Sequence, residues 1–424
     1  MKQIWANRFL LLVLFLLPWQ THFLFRSTSI TDEISAYGTF SLSVTEAILL
    51  FVVFLRGRPR FPSQYNRVIQ AMYFFLATIF FSLTFTSFFQ IGLFHLLSIL
   101  FAVSLFIILC DERTSIRYAC MAFVAGLILP ACLGWVQILT GYSPASTWLG
   151  IASQQASTLG TAVVETQGNR LLRAYGSFPH PNIFGGYLAV GLFFLGWGIR
   201  FVRSTRERFL FTIPLVILIP TFVMTFSRSA WLALSMSVLC LIGLMIFRKR
   251  FPPLYTLPLL IVGVVTLLST ILVFSPQIFS RVQSSSRLEK ISLEERVSQY
   301  QQFTDVLRRN PFFGVGPGAY TFALAEVFPE KDVWAYQPIH NTPLLLLAEL
   351  GVVGFIALFY LLLRIDQVST RVAKRANGMF ALSLSVLLIV LSLFDHYLWS
   401  LWSGLALSAV ILACILKWTL EESE

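Results

Sequence analysis

The chain has 424 residues, of which 57% are hydrophobic and only 12% are charged, about half the charged content of an ordinary soluble domain. This composition excludes a soluble globular fold and indicates a chain that is solvated by lipid. Uncharged runs of about 20 residues, the length that a helix needs to cross a bilayer, recur from Phe9 to the turn before Lys417. We therefore expect an all-α integral membrane protein with a single polytopic domain, residues 1–424.

The net charge of +11 could indicate a nucleic-acid partner, but the distribution of the charge argues against one. If the N-terminus is cytoplasmic, most basic residues fall in short loops on the cytoplasmic side, for example Arg56, Arg58 and Arg60. An excess of Lys and Arg in cytoplasmic loops is the rule for multi-pass membrane proteins. We therefore expect a protein of the cytoplasmic (inner) membrane with both termini in the cytoplasm and no nucleic-acid partner.

The hydropathy pattern predicts about twelve transmembrane helices. They cover residues 9–25, 40–55, 68–89, 91–110, 118–139, 183–199, 209–226, 229–247, 254–274, 343–363, 379–394 and 397–416. Two external segments, residues 140–181 and 275–342, are longer than most loops, and loops of this length are usually functional or disordered. In the second, Ser292 and Glu295 form a capping-box pattern that predicts a helix up to Asn310, so this long loop before the tenth span is partly helical.

His340 is a candidate general base. It precedes Asn341, Thr342 and Pro343 at the start of the tenth predicted span, where Thr342 can cap the helix and Pro343 can take its first position. The positive end of the helix dipole favours neutral imidazole, which is the form that a base requires. The alternative is a loop histidine that only makes a structural hydrogen bond.

His180 lies between Pro179 and Pro181, just before the sixth predicted span. A second histidine at a helix start on the same side of the membrane makes a cleft plausible. A rigid Pro-His-Pro turn also serves simply to aim a helix, and from the residues alone this structural role is the favoured interpretation.

Arg228 and Arg296 are candidates for binding an anion. Arg228 lies between two apolar runs with almost no loop around it, a costly position unless the side chain snorkels to the headgroups or meets an anion. Arg296 is on the loop helix, on one stripe with Gln299 and Phe303, and its alternative is a solvated helix face. Two guanidinium groups could bind one diphosphate, and without a metal they could stabilise the negative charge that develops on the leaving diphosphate.

A glycine-rich stretch, residues 314–318, follows the loop helix and allows a close backbone approach. It is weak as a phosphate-binding fingerprint because no strand precedes it. The nearby acidic residues, including Glu349 in the tenth span, do not form a carboxylate cluster of the kind that a metal site needs, and Asp395-His396 has no specific spacing. We therefore expect no metal and no cofactor.

Several motifs together resemble the O-antigen ligase and polymerase superfamily, polytopic glycosyltransferases that act on polyprenyl-diphosphate-linked glycans. In chain order they are Gly176-Ser177-Phe178-Pro179-His180-Pro181-Asn182, then Ser227-Arg228-Ser229-Ala230-Trp231, then Arg296 ahead of Asn310-Pro311-Phe312-Phe313-Gly314-Val315-Gly316, and His340-Asn341 leading into Leu350-Gly351-Val352-Val353-Gly354. Each motif is weak alone, but their order follows that of the superfamily over residues 175–355.

The resemblance implies that Arg228 and Arg296 hold the diphosphate of an undecaprenyl-diphosphate-linked glycan donor, and that His340 is the base for the acceptor hydroxyl. It also implies an inverting transfer without metal or nucleotide sugar, at the outer face of the membrane. Supporting roles fall on the other residues of the matching motifs, namely His180, Asn182, Asn341, Gly314 and Gly316.

The acceptor is left open, because members of the superfamily transfer glycans to lipid, to protein or to another lipid-linked glycan. Two other classes of function are also open. A secondary transporter of a small solute would need polar groups near the bilayer midplane, for which Glu46 is one of few candidates. A non-catalytic scaffold in an envelope-assembly complex would not depend on His340.

Overall fold

The computed structural model describes residues 1–30, 33–166, 168–283, 287–371 and 376–418. In these ranges the helices are α1 (Lys2–Leu16), α2 (Val44–Arg56), α3 (Asn66–Ser82), α4 (Phe89–Cys110), α5 (Ile116–Thr140), α6 (Pro181–Gly198), α7 (Thr205–Met224), α8 (Arg228–Phe247), α9 (Leu257–Val273), α10 (Ser275–Gln283), α11 (Arg287–Arg309), α12 (Tyr320–Val327), α13 (Thr342–Arg371), α14 (Ala376–Phe394), α15 (Tyr397–Ser400) and α16 (Trp402–Trp418). The strands are β1 (His22–Ile30), β2 (Glu33–Ser43), β3 (Tyr142–Ser143), β4 (Gln154–Gln155), β5 (Val163–Thr166) and β6 (Asn169–Leu172), paired as three antiparallel hairpins.

Among the described residues, eight helices are long and apolar enough to cross a membrane. They are Phe89–Cys110, Ile116–Thr140, Pro181–Phe201, Thr205–Met224, Arg228–Phe247, Leu254–Val273, Thr342–Val368 and Ala376–Phe394. The prediction of a mostly helical membrane protein is confirmed, and the total of twelve spans stays a prediction.

The first two predicted spans are wrong in their boundaries. Helix α1 ends at Leu16, and the chain then forms the β1–β2 hairpin before α2 begins at Val44. Pro18 follows the helix end, because proline lacks an N–H and disfavours helical backbone at the residue before it. The segment His22–Ile30 contains Phe23, Phe25, Thr28 and Ile30, which are aromatic or β-branched residues and favour a strand.

Glu46 caps α2. Its carboxylate accepts the Ser43 backbone N–H at 2.7 Å, while the Ser43 hydroxyl accepts the Glu46 backbone N–H at 3.0 Å. This reciprocal capping box at the start of α2 is sufficient to account for the buried carboxylate of Glu46. Glu46 therefore no longer supports the hypothesis that the protein is a transporter.

One compact unit comprises Met1–Thr21, Ser115–Ile291 and Ser383–Leu391. Helices α5, α6 and α7 pack together in it, and α6 is the most deeply buried of the three. Gly126 of α5 allows α1 to approach closely, because a Cβ at this position would lie 2.2 Å from the carbonyl oxygen of Phe15. Trp197 and Tyr187 are fully buried in this unit.

A second unit comprises His22–Thr114, Ser292–Leu382 and Ser392–Glu424. In it α4 packs against α16, and α3 packs against α13. Helix α11 begins at Arg287, earlier than the predicted start at Ser292, whose side chain lies outside the described residues. The predicted last span is divided at Leu401 into the short α15 and the longer α16.

Candidate functional site

Helix α13 positions His340, which lies immediately before the first turn of the helix. The Asn341 side-chain oxygen accepts the Leu344 backbone N–H at 3.0 Å, so Asn341 caps the helix. Thr342 was expected to be the cap, but it is the first helical residue, and its hydroxyl donates to the Asp395 carbonyl at 2.7 Å. The Asn341 amide also donates to the Leu393 carbonyl at 3.2 Å. These bonds tie the loop that carries His340 to the end of α14.

Gln299 of α11 contacts His340 twice. Its side-chain oxygen Oε1 accepts the backbone N–H of His340 at 3.2 Å and lies 2.9 Å from ring nitrogen Nδ1. The two contacts converge on one atom, so the amide holds both the backbone and the ring of the histidine.

Asp395 and His396 lie beside His340 in the turn between α14 and α15. The two imidazole rings are perpendicular, with centroids 5.1 Å apart. His396 Nδ1 lies 2.7 Å from the Ser400 hydroxyl, and Asp395 Oδ1 accepts the His396 backbone N–H at 2.8 Å. Tyr37 of β2 packs edge-on against His396 at 6.0 Å. The site therefore draws on the β1–β2 hairpin, α11, α13 and the α14–α15 turn.

Burial is the main influence on the protonation of both histidines. It lowers the pKa of His340, with the charge of Asp395 acting in the opposite direction and that of Arg296 in the same direction. Burial also lowers the pKa of His396 to about 4. Both rings are therefore neutral at pH 7, and the main cause is desolvation.

Arg296 is half-buried on α11, one turn before Gln299. Residues three apart on a helix share a face, so the guanidinium and the amide are presented on the same side. The charge of Arg296 acts on the His340 ring, which agrees with this placement. In this unit the structure thus brings together Arg296, His340 and Asn341 of the predicted site.

The glycine-rich stretch binds to a break in α13. Gly351 interrupts this helix with the non-helical backbone angles φ 65° and ψ −174°. The N–H groups of Val315 and Gly316 donate to the carbonyls of Ala348 and Glu349 at 3.0 and 2.9 Å. A Cβ on Gly314 would lie 2.2 Å from the carbonyl carbon of Glu349. Gly314 therefore packs against protein backbone and Gly316 packs against the Thr86 side chain, which are the close approaches that the glycines permit.

Glu349 fastens this stretch through its side chain. The buried carboxylate accepts the Gly318 N–H at 2.6 Å, the Tyr320 N–H at 3.3 Å and the Trp399 indole N–H at 2.6 Å. Three donors satisfy a carboxylate that would otherwise be costly to bury. Because Glu349 is on the helix that begins after His340, the loop and the candidate base share one support.

The cluster of His340, Asp395 and His396 also has donor atoms of the types that bind divalent metals. One such atom from each residue lies within 4.8 Å of the others. The expectation of a site without metal stays a prediction.

In the other unit, His180 caps α6. Its Nδ1 accepts the Asn182 backbone N–H at 3.1 Å, and Pro181 occupies the first helical position. The Asn182 side-chain oxygen accepts from Arg173 at 2.7 Å, and Arg173 also donates to the Thr225 carbonyl at 2.7 Å. This arrangement agrees with the helix-aiming role that the residues alone favour for His180.

Arg228 is the first residue of α8, after Ser227, whose hydroxyl accepts the Ala230 backbone N–H at 3.4 Å. The preceding Phe226 has φ 48°, a value that is uncommon for a residue with a side chain. Arg281 of α10 donates to the Phe226 carbonyl at 3.1 Å, and Arg228 donates to the Arg281 carbonyl at 3.4 Å. The turn that carries Arg228 is therefore held by side chains from distant segments.

Sequence reasoning missed Arg173 and Arg281. Both donate to carbonyls of residues 225–226, and both lie outside the motifs that resemble the O-antigen ligase and polymerase superfamily. Arg173 is 5% exposed, and an arginine next to the motif that begins at Gly176 was a signal that could have been used. Arg281 offered no such signal, because its partner is far away in the sequence.

Residues 213–359, about a third of the chain, match the family model described as O-Antigen ligase, Wzy_C. The matched range contains Arg228, Arg296, Gly314, Gly316 and His340. No curated protein matches the chain. The family match confirms the resemblance of the motifs to the O-antigen ligase and polymerase superfamily, and the apolar helices are those of a multi-pass membrane protein.

Proposed function

We propose that the protein is a membrane glycosyltransferase that moves a glycan from undecaprenyl diphosphate to a hydroxyl acceptor at the outer face of the cytoplasmic membrane. The observation that carries this proposal is His340, a neutral, half-buried imidazole held at a helix start within the region that matches the O-antigen ligase family. Neutral imidazole can take a proton from a hydroxyl group as that group attacks.

In the proposed reaction, His340 removes the proton of the acceptor hydroxyl while its oxygen attacks the anomeric carbon of the donor sugar. The new C–O bond forms on the face opposite the diphosphate, so the anomeric configuration inverts. The bond between the sugar and the diphosphate breaks with its electron pair, and undecaprenyl diphosphate leaves. The step needs neither metal nor nucleotide sugar.

The diphosphate is assigned to Arg228 and Arg296. Each guanidinium can bind two phosphate oxygens, and charge on the leaving diphosphate increases as the bond breaks. Arg228 has the additional support of its position, because the first turn of α8 presents backbone N–H groups and the positive end of the helix dipole. Arg296 has the support of sharing a helix face with the residue that contacts His340.

The test is transfer of a labelled undecaprenyl-diphosphate glycan by the purified protein in liposomes. We expect His340→Ala, Arg228→Ala and Arg296→Ala each to lower transfer by at least about a hundredfold, the lower end of the range for a lost acid–base or charge-stabilising group. The matched control is Arg308→Ala on the same helix, whose side chain is 80% exposed. It should leave the rate unchanged.

Several outcomes would contradict the proposal. Equal transfer by wild type and His340→Ala would remove the base, and retention of the donor configuration in the product would exclude a single inverting step. Loss of transfer in EDTA with recovery on adding zinc would point instead to a metal at the cluster of His340, Asp395 and His396. No transfer by wild type to any hydroxyl acceptor would remove the transferase assignment.

The acceptor can be resolved with the same assay. A glycolipid acceptor that gains the whole glycan would define a ligase, whereas a lipid-linked glycan that grows by one donor unit would define a polymerase. A glycosylated protein product would define a protein-directed transferase. Each product differs in mass and in its lipid anchor, so one chromatographic separation distinguishes them.

The proposed orientation has its own test. In a variant without the native cysteines, Trp334→Cys should react with an impermeant maleimide in intact spheroplasts, because Trp334 is 69% exposed and lies in the proposed external segment. Arg58→Cys, in a proposed cytoplasmic loop, should react only after permeabilisation. The reverse pattern would invert the topology.

A further inference from the structure

We infer that Gln299 is a positioning residue that holds the His340 ring with its proton on Nδ1, so that Nε2 is the nitrogen that receives the proton of the acceptor. The inference deepens the proposed function and rests on it for the identity of the base. Its basis is the pair of contacts between the Gln299 amide and His340.

The orientation of the Gln299 amide follows from the backbone. The atom at 3.2 Å from the His340 backbone nitrogen faces an N–H group, which can only donate. An amide NH2 in that place would set two donors against each other, whereas the carbonyl oxygen accepts the bond. The atom facing His340 is therefore Oε1.

The orientation of the amide then determines the tautomer of the ring. The same Oε1 lies 2.9 Å from Nδ1 of His340, and a carbonyl oxygen has two lone pairs and no proton to offer. Nδ1 must therefore carry the hydrogen. In a neutral imidazole the other nitrogen, Nε2, then has the lone pair. One oxygen thus satisfies both donors and leaves the base on the far side of the ring.

A neutral partner suits this task better than a charged one. Arg296, Asp395 and His396 also face His340, and Tyr37 contacts His396. A carboxylate in the place of Gln299 would also select the Nδ1 proton, but it would favour the doubly protonated ring that cannot act as a base. The amide selects the tautomer without that attraction.

The sequence also links this role to the donor. Gln299 is one turn after Arg296 on α11, so a single helix face carries the proposed diphosphate contact and the group that orients the base. In the sequence this pair was visible only as two polar residues on one stripe of an amphipathic helix.

The first test is spectroscopic and does not require transfer. With ¹⁵N-labelled histidine in nanodiscs, and with His340 assigned by the signals lost in His340→Asn, we expect a protonated Nδ1 and an unprotonated Nε2 in the wild type. Gln299→Met should shift this ring toward the opposite tautomer. A wild-type ring with its proton on Nε2, or no change in Gln299→Met, would overturn the inference.

The second test is kinetic. We expect Gln299→Met to lower kcat about tenfold with little change in KM, since one hydrogen bond to an imidazole is worth up to that factor. At high pH, Gln299→Glu should have the kcat of the wild type. As the pH is lowered, this variant should lose activity at a higher pH than the wild type does, because a carboxylate raises the pKa of the ring. A packing role alone would lower activity in both variants without moving the pH profile.

The matched controls are Gln302→Met and Gln302→Glu. Gln302 is on the same helix, and its amide donates to the Ser298 hydroxyl at 2.6 Å. Both variants should transfer glycan as the wild type does, and a loss equal to that of Gln299→Met would overturn the specific role. Equal transfer by wild type and His340→Ala would instead overturn the proposed function, while the spectra would still decide the tautomer.

Discussion

Replacing Gly314 with alanine tests how the glycine-rich stretch is held against the broken helix α13. Gly314 has φ 74°, a backbone conformation that disfavours any side chain. A methyl group there would also lie 2.2 Å from the carbonyl carbon and oxygen of Glu349 and 2.5 Å from the nitrogen of Leu350. All three are backbone atoms, so no side-chain rotation can relieve the overlap.

The magnitude follows from comparison with Gly57, which is in the same unit. Gly57 has φ 63°, and a Cβ there would meet nothing within 4 Å. Gly57→Ala should therefore cost only the conformational penalty of a backbone with φ 63° and ψ −152°, which is about 1–3 kcal/mol. Gly314→Ala adds the overlap with backbone and should exceed about 4 kcal/mol, the range reached when packed structure must move.

The assay is thermal unfolding in detergent, followed by tryptophan fluorescence. With about 2–4 °C for each kcal/mol in a unit of this size, Gly57→Ala should lower the midpoint by a few degrees and Gly314→Ala by more than about 8 °C. Equal shifts in the two variants would refute the reasoning, because they would mean that the contact between the stretch and Glu349 contributes nothing.

Three further changes have defined outcomes. Glu349→Gln removes one of two acceptor oxygens that serve three N–H donors, and it should lower stability by about 1–3 kcal/mol; an unchanged unfolding midpoint would contradict this. Burial raises the pKa of Asp111, but the hydrogen bonds from Arg113 and the nearby Arg56 dominate and lower this pKa to about 2. The Asp111 carboxylate therefore stabilises the fold above pH 4, and this stabilisation is lost as the pH falls toward 2. Asp111→Asn should remove that acid sensitivity. It should also lower the free energy of unfolding by about 3–5 kcal/mol, because buried Arg56 loses its carboxylate partner, and an unaltered unfolding midpoint at pH 7 would contradict this prediction. Because burial lowers the pKa of His340, transfer should stay high at pH 6.5 and decline only at lower pH, and a decline that begins above 7 in a pH–rate profile would contradict a neutral base.

Several features of the site were predictable because they depend on local sequence. Helix starts at Pro181 and Arg228 follow polar residues that can cap, and the structure has helices there. The glycines at 314 and 316 indicated a close backbone approach, although not its partner. The order of the motifs identified the superfamily, which the family match over residues 213–359 confirms.

Other features were not predictable, because apolar composition does not distinguish elements of similar hydrophobicity. The run from Phe9 to Phe25 is uncharged and mostly apolar, yet only its first part is in α1, and the rest leads into β1. A short apolar run such as Phe23-Leu24-Phe25 fits either the end of a membrane helix or the start of a strand, and the strand forms here because it pairs with β2.

By itself the sequence determined that the chain is a mostly helical membrane protein, that its motifs resemble the O-antigen ligase superfamily, and that His340, Arg228 and Arg296 are the residues to test. These properties depend on composition and on short-range order. Only the tertiary structure decided that Gln299 holds the His340 ring and that Asp395 and His396 lie against it. Those contacts join residues 41 or more positions apart, and only the packing of α11 and the α14–α15 turn around the start of α13 brings them within bonding distance.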